Sequence, residues 1–291
     1  MDICRSTDAM RAWRRDAGRT ALVPTMGALH QGHLTLVARA RDWLDGQGGG
    51  RVVTSIFVNP AQFGPNEDLD KYPRQEAQDL DLLREAGCDA VFLPQVSDIW
   101  RPGAQTHVQV TQLGGILMGR LRPGHFRGVA TVVTKLFNIV QPQAAAFGEK
   151  DYQQLTLITR MVEDLDIPVT ILPVPTVREP DGLAMSSRNQ RLTAEDRAAA
   201  PVLARALDHA AESVAMGTPV SLLRRQIRAI LSTEPRADIR SIDIRDARDL
   251  SRIAVVGGAG AVPLGGPFRG GLPVGHSPRG GPPACRRGWR G

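Results

Sequence analysis

The chain has 291 residues, of which 42% are hydrophobic and 23% charged, a composition typical of a globular protein long enough for two domains. Six of its 36 basic residues and none of its 30 acidic residues lie in residues 251–291, so this segment carries the whole net charge of +6. Residues 1–250 carry no net charge, so the charge of the chain gives no argument for a folded surface that binds nucleic acid. Residues 1–15 lack the apolar core of a signal peptide, and no run of about 18 apolar residues occurs, so we expect a cytoplasmic protein without a membrane partner.

Cysteine usage adds little. Cys4, Cys88 and Cys285 are odd in number and far apart, so no disulfide framework or Cys-rich metal site is predicted.

Strand and helix patterns alternate through the first part of the chain. The predicted helices cover residues 8–17, 34–44, 75–86, 129–140 and 152–165. The predicted strands cover residues 20–23, 51–58, 90–94, 144–147 and 168–177, with a short extra strand at 106–110. The strand at 51–58 is rich in β-branched residues and does not alternate, which is typical of a strand buried on both faces. We therefore predict an α/β domain over residues 1–177 with a Rossmann-like, doubly wound parallel sheet.

The pattern changes after Val177. A polar loop over residues 178–192 precedes Thr193, a predicted N-cap for an Ala-rich helix that runs to about residue 216. A further helix at 219–231 and a strand at 239–244 predict a smaller α+β domain over residues 178–255. Residues 257–291 hold 12 Gly and 6 Pro, so we expect no fold over residues 256–291.

Two histidines, His30 and His33, lie between a predicted strand and a predicted helix, flanked by Gly27 and Gly32. The unpaired N–H groups and the dipole of a helix N-terminus favour phosphate there, and histidines can donate further hydrogen bonds. The spacing alone also fits two surface histidines. It fits two metal ligands less well, because no third ligand is near in sequence. The preceding strand, the glycines and the helix together favour a nucleotide site.

Three other polar segments are candidates for chemistry. Residues 59–64 follow a buried strand, where open α/β sheets bind ligands. Lys150 follows another strand and could bind phosphate, although a turn of this kind taken alone is more often solvated. Ser186, Ser187 and Arg188 could close over phosphates, or form a helix cap beside a surface arginine. No convincing Ser–His–Asp or Cys–His set suggests a covalent nucleophile.

Five segments together resemble one enzyme family. They are residues 24–33 (PTMGALHQGH), 55–63 (SIFVNPAQF), 122–128 (RPGHFRG), 147–154 (FGEKDYQQ) and 181–189 (DGLAMSSRN). In this order they closely resemble the pantoate–β-alanine ligase family. Residues 30–33 are similar to the HIGH signature of the wider nucleotidyltransferase superfamily, and residues 185–188 to its KMSKS loop.

The resemblance implies a two-step reaction. ATP and (R)-pantoate give pantoyl adenylate and pyrophosphate, and β-alanine then displaces AMP to form pantothenate. Catalysis of this kind rests on positioning and on stabilising charge at phosphoryl oxygens. The resemblance also implies ATP and Mg²⁺ as cofactors, a homodimer, and no nucleic-acid or membrane partner.

The resemblance assigns roles to particular residues. The expected catalytic set is His33, His30, Lys150, Arg188, Ser186 and Ser187. The expected ATP-binding set is Met26, Gly27, Ala28, Leu29, His30, Gln31, Gly32, His33, Gly148, Glu149, Lys150, Asp151, Val177, Met185, Ser186, Ser187 and Arg188. Gln62 and Gln154 are expected to hold pantoate, because amides both donate and accept hydrogen bonds. Asn59 and Arg122 are expected near the ligands, and Asp79 is the expected carboxylate on the Mg²⁺ side.

The resemblance ends near Arg252. Family members usually finish with an apolar strand, whereas this chain changes abruptly to Gly, Pro and Arg. We hypothesise that the reading frame changes near residues 252–256; a basic arm that binds nucleic acid is the less favoured alternative.

Two other functions stay open on the sequence. One is a nucleotidyltransferase with a different acceptor, against which the paired Gln62 and Gln154 argue. The other is a nucleotide-binding protein of the same fold whose turnover is lost or impaired because of the aberrant C-terminus.

Overall fold

The computed structural model describes residues 1–255 apart from 66, 68, 216 and 240, with only the backbone of 213–215, and the backbone of 260–261, 264–267 and 273–276. The chain forms two units. The first comprises Met1–Glu149 and Leu157–Val177, and the second comprises Lys150–Thr156 and Arg178–Gly291. The second unit therefore includes a short segment that lies inside the predicted first domain. Within this unit the Tyr152 hydroxyl donates a 2.8 Å hydrogen bond to the Ala247 carbonyl, which ties that segment to it.

The first unit contains a six-stranded parallel sheet. Its strands are β1 (Asp2–Cys4), β2 (Thr20–Thr25), β3 (Arg51–Ile56), β4 (Ala90–Phe92), β5 (Ala144–Gly148) and β6 (Thr170–Val174). They lie in the order β1-β4-β3-β2-β5-β6, and each pairing is parallel. The direction in which the chain crosses the sheet therefore reverses between β2 and β5. Open α/β sheets bind ligands beyond the carboxyl ends of the strands at such a reversal. The predicted Rossmann-like α/β class is confirmed.

Helices connect these strands. They are α1 (Thr7–Arg15), α2 (Gln31–Asp45), α3 (Glu76–Glu85), α4 (Val96–Ile99), α5 (Met118–Leu121), α6 (His125–Val140) and α7 (Tyr152–Asp164). In α2 the apolar residues Leu36, Val37, Ala40 and Leu44 share one face and are buried in the core. Each buried leucine contributes about 2 kcal/mol, so this face fixes where the start of α2 lies relative to the end of β2.

Two predicted features of the first unit differ from the structure. The extra strand at residues 106–110 is wrong: the Val108 N–H donates to the Thr131 hydroxyl at 3.0 Å, so a side chain takes the place of a strand partner. Conversely, β1 is not predicted from the sequence, because three residues are too few to show the alternation of apolar and polar side chains that indicates a strand. It pairs along the edge of the sheet with β4, from Asp2 opposite Ala90.

The second unit has its own helical core. It contains α8 (Ala194–Ala199), α9 (Val202–Ala215) and α10 (Val220–Leu231), which bury Leu203, Leu207, Leu223 and Ile227 together. Thr193 caps α8 as predicted, because its side chain accepts a 3.1 Å hydrogen bond from the Asp196 N–H. The predicted single helix to residue 216 is wrong. Pro201 has no N–H to donate, and the helix breaks there.

Short strands end the described chain. The predicted strand at 239–244 is reduced to β7 (Ser241–Ile242), followed by β8 (Arg245–Asp246). Then come β9 (Gly260–Ala261), β10 (Leu264–Pro267) and β11 (Pro273–His276), with β10 between β7 and β11, and β9 beside β8. The expectation that residues 256–291 have no fold is therefore wrong for these three segments. Backbone pairing to an edge strand needs no particular side chain, so the composition did not reveal it. The rest of residues 256–291 lies outside the described residues. No described helix combines the length and apolarity needed to cross a bilayer.

Candidate active site

His30 and His33 form a reciprocal cap at the start of α2. The Gly32 N–H donates to His30 Nδ1 at 3.1 Å, and the His30 N–H donates to His33 Nδ1 at 3.3 Å. The ring centroids are 4.1 Å apart. A nitrogen that accepts a hydrogen bond carries no proton, so the Nε2 atom of each ring is left as the donor. The N-terminus of a 15-residue helix thus has two oriented imidazole donors in addition to its backbone N–H groups.

Buried side chains hold the loop before α2. The Leu29 N–H donates to Asp79 Oδ1 at 2.7 Å, and the Tyr72 hydroxyl donates to the Gly27 carbonyl at 2.9 Å. Asp79 is only 1% exposed. Burial raises the pKa of its carboxyl, and the Leu29 N–H partly opposes that rise. Residues 26–29, predicted to bind ATP, therefore form a loop whose backbone is fixed from two sides.

Asn59 and Gln62 follow β3 and are 1% and 8% exposed. Asn59 Nδ2 donates to Gln62 Oε1 at 2.8 Å and to the Gly128 carbonyl at 3.2 Å. Asn59 Oδ1 accepts from the Ala61 N–H at 3.3 Å and from the Trp100 indole N–H at 2.9 Å. These four bonds use the full hydrogen-bonding capacity of the Asn59 amide.

Arg122 also supports Gln62. Its Nε donates to Glu67 Oε1 at 2.7 Å, and its Nη2 donates to the other Glu67 oxygen and to the Gln62 carbonyl. His125 Nδ1 donates to the same carbonyl at 2.8 Å. The hydrogen bonds from Arg122 lower the pKa of Glu67. Two side chains, Arg122 and His125, thereby hold the backbone carbonyl of Gln62.

The ends of β5 and β6 carry the other predicted site residues of the first unit. Gly148 ends β5 and Glu149 follows it; burial raises the pKa of the Glu149 carboxyl. Val177 follows β6 and is half-buried. Because all strands of the sheet are parallel, these residues lie on the same edge as His30 and Gln62.

The remaining predicted site residues belong to the second unit. Lys150 Nζ lies 3.5 Å from Asp151 Oδ1, and Gln154 on α7 is half-buried. Ser186 caps a 3₁₀ turn, Ser187–Arg191: its hydroxyl accepts a 3.3 Å hydrogen bond from the Arg188 N–H. The cap interpretation of Ser186 is therefore confirmed.

The neighbours of Ser186 in the segment 185–188 are less exposed than residues of a surface loop usually are. Ser187 is buried, and Met185 and Arg188 are half-buried. Arg188 is thus partly buried, whereas a surface arginine would be exposed. Its phosphate-binding role stays a prediction.

Residues 2–264 match the family model described as pantoate-beta-alanine ligase. The chain belongs to this family. Pantothenate synthetase from Bartonella henselae is 53% identical over 239 residues, 82% of this chain and 82% of that relative. A solved pantothenate synthetase from Thermus thermophilus is 43% identical with a TM-score of 0.89, covering 95% of this chain and 98% of that one. Pantoate-beta-alanine ligase from Francisella tularensis, solved with beta-gamma ATP and beta-alanine, is 32% identical with a TM-score of 0.77, covering 95% and 97% of the two chains.

The family match continues to residue 264, beyond Arg252, near which the resemblance was expected to end. The hypothesis of a changed reading frame near residues 252–256 stays a prediction.

Several supporting residues were missed from the sequence. His125 and Gly128 lie in the segment 122–128 that resembled the family, but they were given no role. Glu67, Tyr72 and Trp100 carried no sequence signal, because each acts on a residue distant in the chain. A periodicity or a short motif cannot reveal contacts of that kind.

Among the described residues, no three His, Cys, Asp or Glu side chains lie together as metal ligands would. Asp79 Oδ1 is already bonded to the Leu29 N–H, which leaves one carboxylate oxygen. A single oxygen fits a Mg²⁺ ion held chiefly by phosphates and water, as Mg²⁺ usually is with nucleotides.

Proposed function

We propose that the protein condenses (R)-pantoate with β-alanine at the expense of ATP, through pantoyl adenylate, and releases pyrophosphate and AMP. The observation that carries this proposal is the reciprocal cap of His30 and His33, in a member of this family, at the reversal point of a parallel sheet. Donors fixed before the substrate arrives stabilise a transition state without reorganisation.

In the first step, a pantoate carboxylate oxygen attacks the α-phosphorus of ATP and the bond to pyrophosphate breaks. Negative charge develops on the phosphoryl oxygens. We assign the Nε2–H groups of His30 and His33 to those oxygens, with His33 as the principal catalytic residue. The other proposed ATP contacts from the first unit are Met26, Gly27, Ala28, Leu29, Gln31, Gly32, Gly148, Glu149 and Val177.

Pantoate presents a carboxylate and two hydroxyls, which suit an amide that both donates and accepts. We assign pantoate binding to Gln62 in the first unit and to Gln154 in the second. Since the Asn59 amide and the Arg122 guanidinium already bond protein groups, we propose that both act by holding Gln62 in place.

The second unit supplies the other proposed phosphate ligands. They are Lys150, Asp151, Met185, Ser186, Ser187 and Arg188. In the second step the β-alanine amine attacks the acyl carbon of pantoyl adenylate, the bond to the AMP oxygen breaks, and the amine loses a proton. Fixed cations favour departure of the AMP phosphate.

Three further assignments extend the proposal. Mg²⁺ would screen the phosphate charge when it is bound, with Asp79 as its carboxylate on the protein. A homodimer and a cytoplasmic location are both implied by the family resemblance.

The test is to incubate the protein with ATP, Mg²⁺, pantoate and β-alanine and to measure AMP, pantothenate and pyrophosphate. The proposal expects pyrophosphate release that depends on pantoate, and AMP and pantothenate in equal amounts when β-alanine is present. Tight ATP binding without AMP formation would instead support the alternative of lost turnover.

A further inference from the structure

Trp100 lies outside the five short motifs recognised in the sequence, yet its indole N–H donates to Asn59 Oδ1 at 2.9 Å. Trp100 directly follows α4. Its backbone N–H donates to the Val96 carbonyl at 2.7 Å, which fixes the backbone of Trp100. Lys135 Nζ lies 5.6 Å from the centroid of the indole ring. The ring is therefore held in place, and its N–H has a defined direction.

The partners of Asn59 determine which way its amide faces. The Ala61 N–H and the Trp100 indole N–H can only donate, so both must face Oδ1. The Gly128 carbonyl can only accept, so it must face Nδ2. A reversed Asn59 amide would place donors against donors.

The orientation of Asn59 in turn determines that of Gln62. Asn59 Nδ2 can only donate, so Gln62 must turn Oε1 towards it, at 2.8 Å. The NH₂ end of the Gln62 amide is then directed away from Asn59. An NH₂ group there would donate to the carboxylate or hydroxyl oxygens of a hydroxy acid.

We propose that Trp100 is a positioning residue that, through Asn59, orients the Gln62 amide for pantoate. The inference rests on the proposed function, which assigns pantoate binding to Gln62. It makes pantoate recognition depend on an indole N–H that does not itself touch the substrate.

The experiment compares Trp100→Phe with Trp13→Phe. The two tryptophans are closely matched: the Trp13 indole N–H donates to Asp2 at 2.7 Å, and Arg51 lies 5.5 Å from its ring centroid. Both substitutions keep an aromatic ring and remove one hydrogen-bond donor. Of the two substitutions, only Trp100→Phe removes a hydrogen bond to Asn59, the residue that bonds the Gln62 amide.

We expect Trp100→Phe to raise the KM for pantoate about tenfold in pantoate-dependent pyrophosphate release, with the KM for ATP and the melting temperature close to parental. Trp13→Phe should leave both KM values unchanged. Equal pantoate KM values in the two variants, or a parallel rise in both KM values of Trp100→Phe, would overturn the inference.

A second variant covers the case in which Trp100→Phe does not fold. Asn59→Asp keeps the acceptor for Trp100 but removes the donor to Gln62, so it should also raise the KM for pantoate selectively. A parental pantoate KM in Asn59→Asp would overturn the inference. If the parent protein itself releases no pyrophosphate with pantoate, the proposed function has failed, which is a distinct result.

Discussion

Gly128 on α6 approaches the Ala61 carbonyl so closely that a Cβ atom on Gly128 would lie 2.2 Å from that oxygen. Real Cβ atoms do not come so near to a backbone oxygen, so only glycine fits here. The same residue accepts the Asn59 Nδ2 hydrogen bond through its carbonyl. The start of α6 therefore sets the position of the 3₁₀ turn Pro60–Gln62.

Gly128→Ala should push this turn away from α6 and weaken pantoate binding. Overpacking of this kind costs about 1–3 kcal/mol, so we expect the KM for pantoate to rise by roughly ten- to a hundredfold. Gly115→Ala is the control, because a Cβ there meets no atom within 4 Å. Pantoate titrations of pyrophosphate release measure the effect. Similar pantoate KM values for the two variants would contradict the prediction.

His33→Ala should reduce turnover without unfolding the protein. It removes one fixed donor from the proposed phosphate site, and the loss of such a donor typically lowers kcat by about 10²–10³. The control is His107→Ala, since His107 is exposed and is not among the proposed site residues. Steady-state kcat and the melting temperature are the measurements. A His33→Ala enzyme with near-parental kcat would remove the catalytic role of this residue.

The parallel sheet was predictable because it rests on local patterns, and the same patterns predict a candidate site at the start of α2. Buried strands such as residues 51–58 lack alternation, and glycines and histidines follow the strand before α2. Several helix ends were predictable to within one residue, both where Thr193 caps α8 and where no side chain caps α3 and α10. Pro201 was overlooked in an otherwise continuous Ala-rich pattern, although its missing N–H decides where that helix ends.

The supporting contacts of the site could not be predicted from sequence. The bonds of Trp100 to Asn59 and of Tyr72 to Gly27 join residues that are distant in the chain, and they depend on the packed fold. The family resemblance therefore pointed to Gln62 and to its partners Asn59 and Arg122, but not to Trp100, which bonds Asn59.

Glu67→Gln should destabilise the protein in a pH-dependent way. The hydrogen bonds from Arg122 hold the pKa of Glu67 below its ordinary value of 4.5. The ionised carboxylate therefore stabilises the fold above that value, and this stability is lost as the pH falls through the lowered pKa. The difference in free energy of unfolding between parent and variant should thus be largest near neutral pH and shrink on acidification.

Urea unfolding at several pH values measures this difference. Glu76→Gln is the control, because Glu76 pairs with Arg5 at the surface, with side chains 50% and 56% exposed. Exposed pairs contribute little, so the control should lose less stability than Glu67→Gln. Equal losses in the two variants, or a Glu67→Gln loss that grows on acidification, would contradict the assignment.

Gly27→Ala should impair ATP binding through a collision with Asp79. Gly27 has a φ of +67°, and a Cβ there would lie 2.7 Å from Asp79 Oδ2. The Asp79 carboxylate cannot simply move, because it holds the Leu29 N–H. Gly18 has a nearly equal φ of +65° but open space around it. Gly18→Ala therefore reproduces the backbone strain without the collision.

Both alanine variants should lose about 1 kcal/mol of stability from that strain. Gly27→Ala alone should also raise the KM for ATP, by roughly tenfold or more, since the loop that precedes His30 must shift to make room. ATP titrations and urea unfolding of both variants separate the two effects. An ATP KM in Gly27→Ala that matches Gly18→Ala would show that the contact between this loop and Asp79 does not govern nucleotide binding.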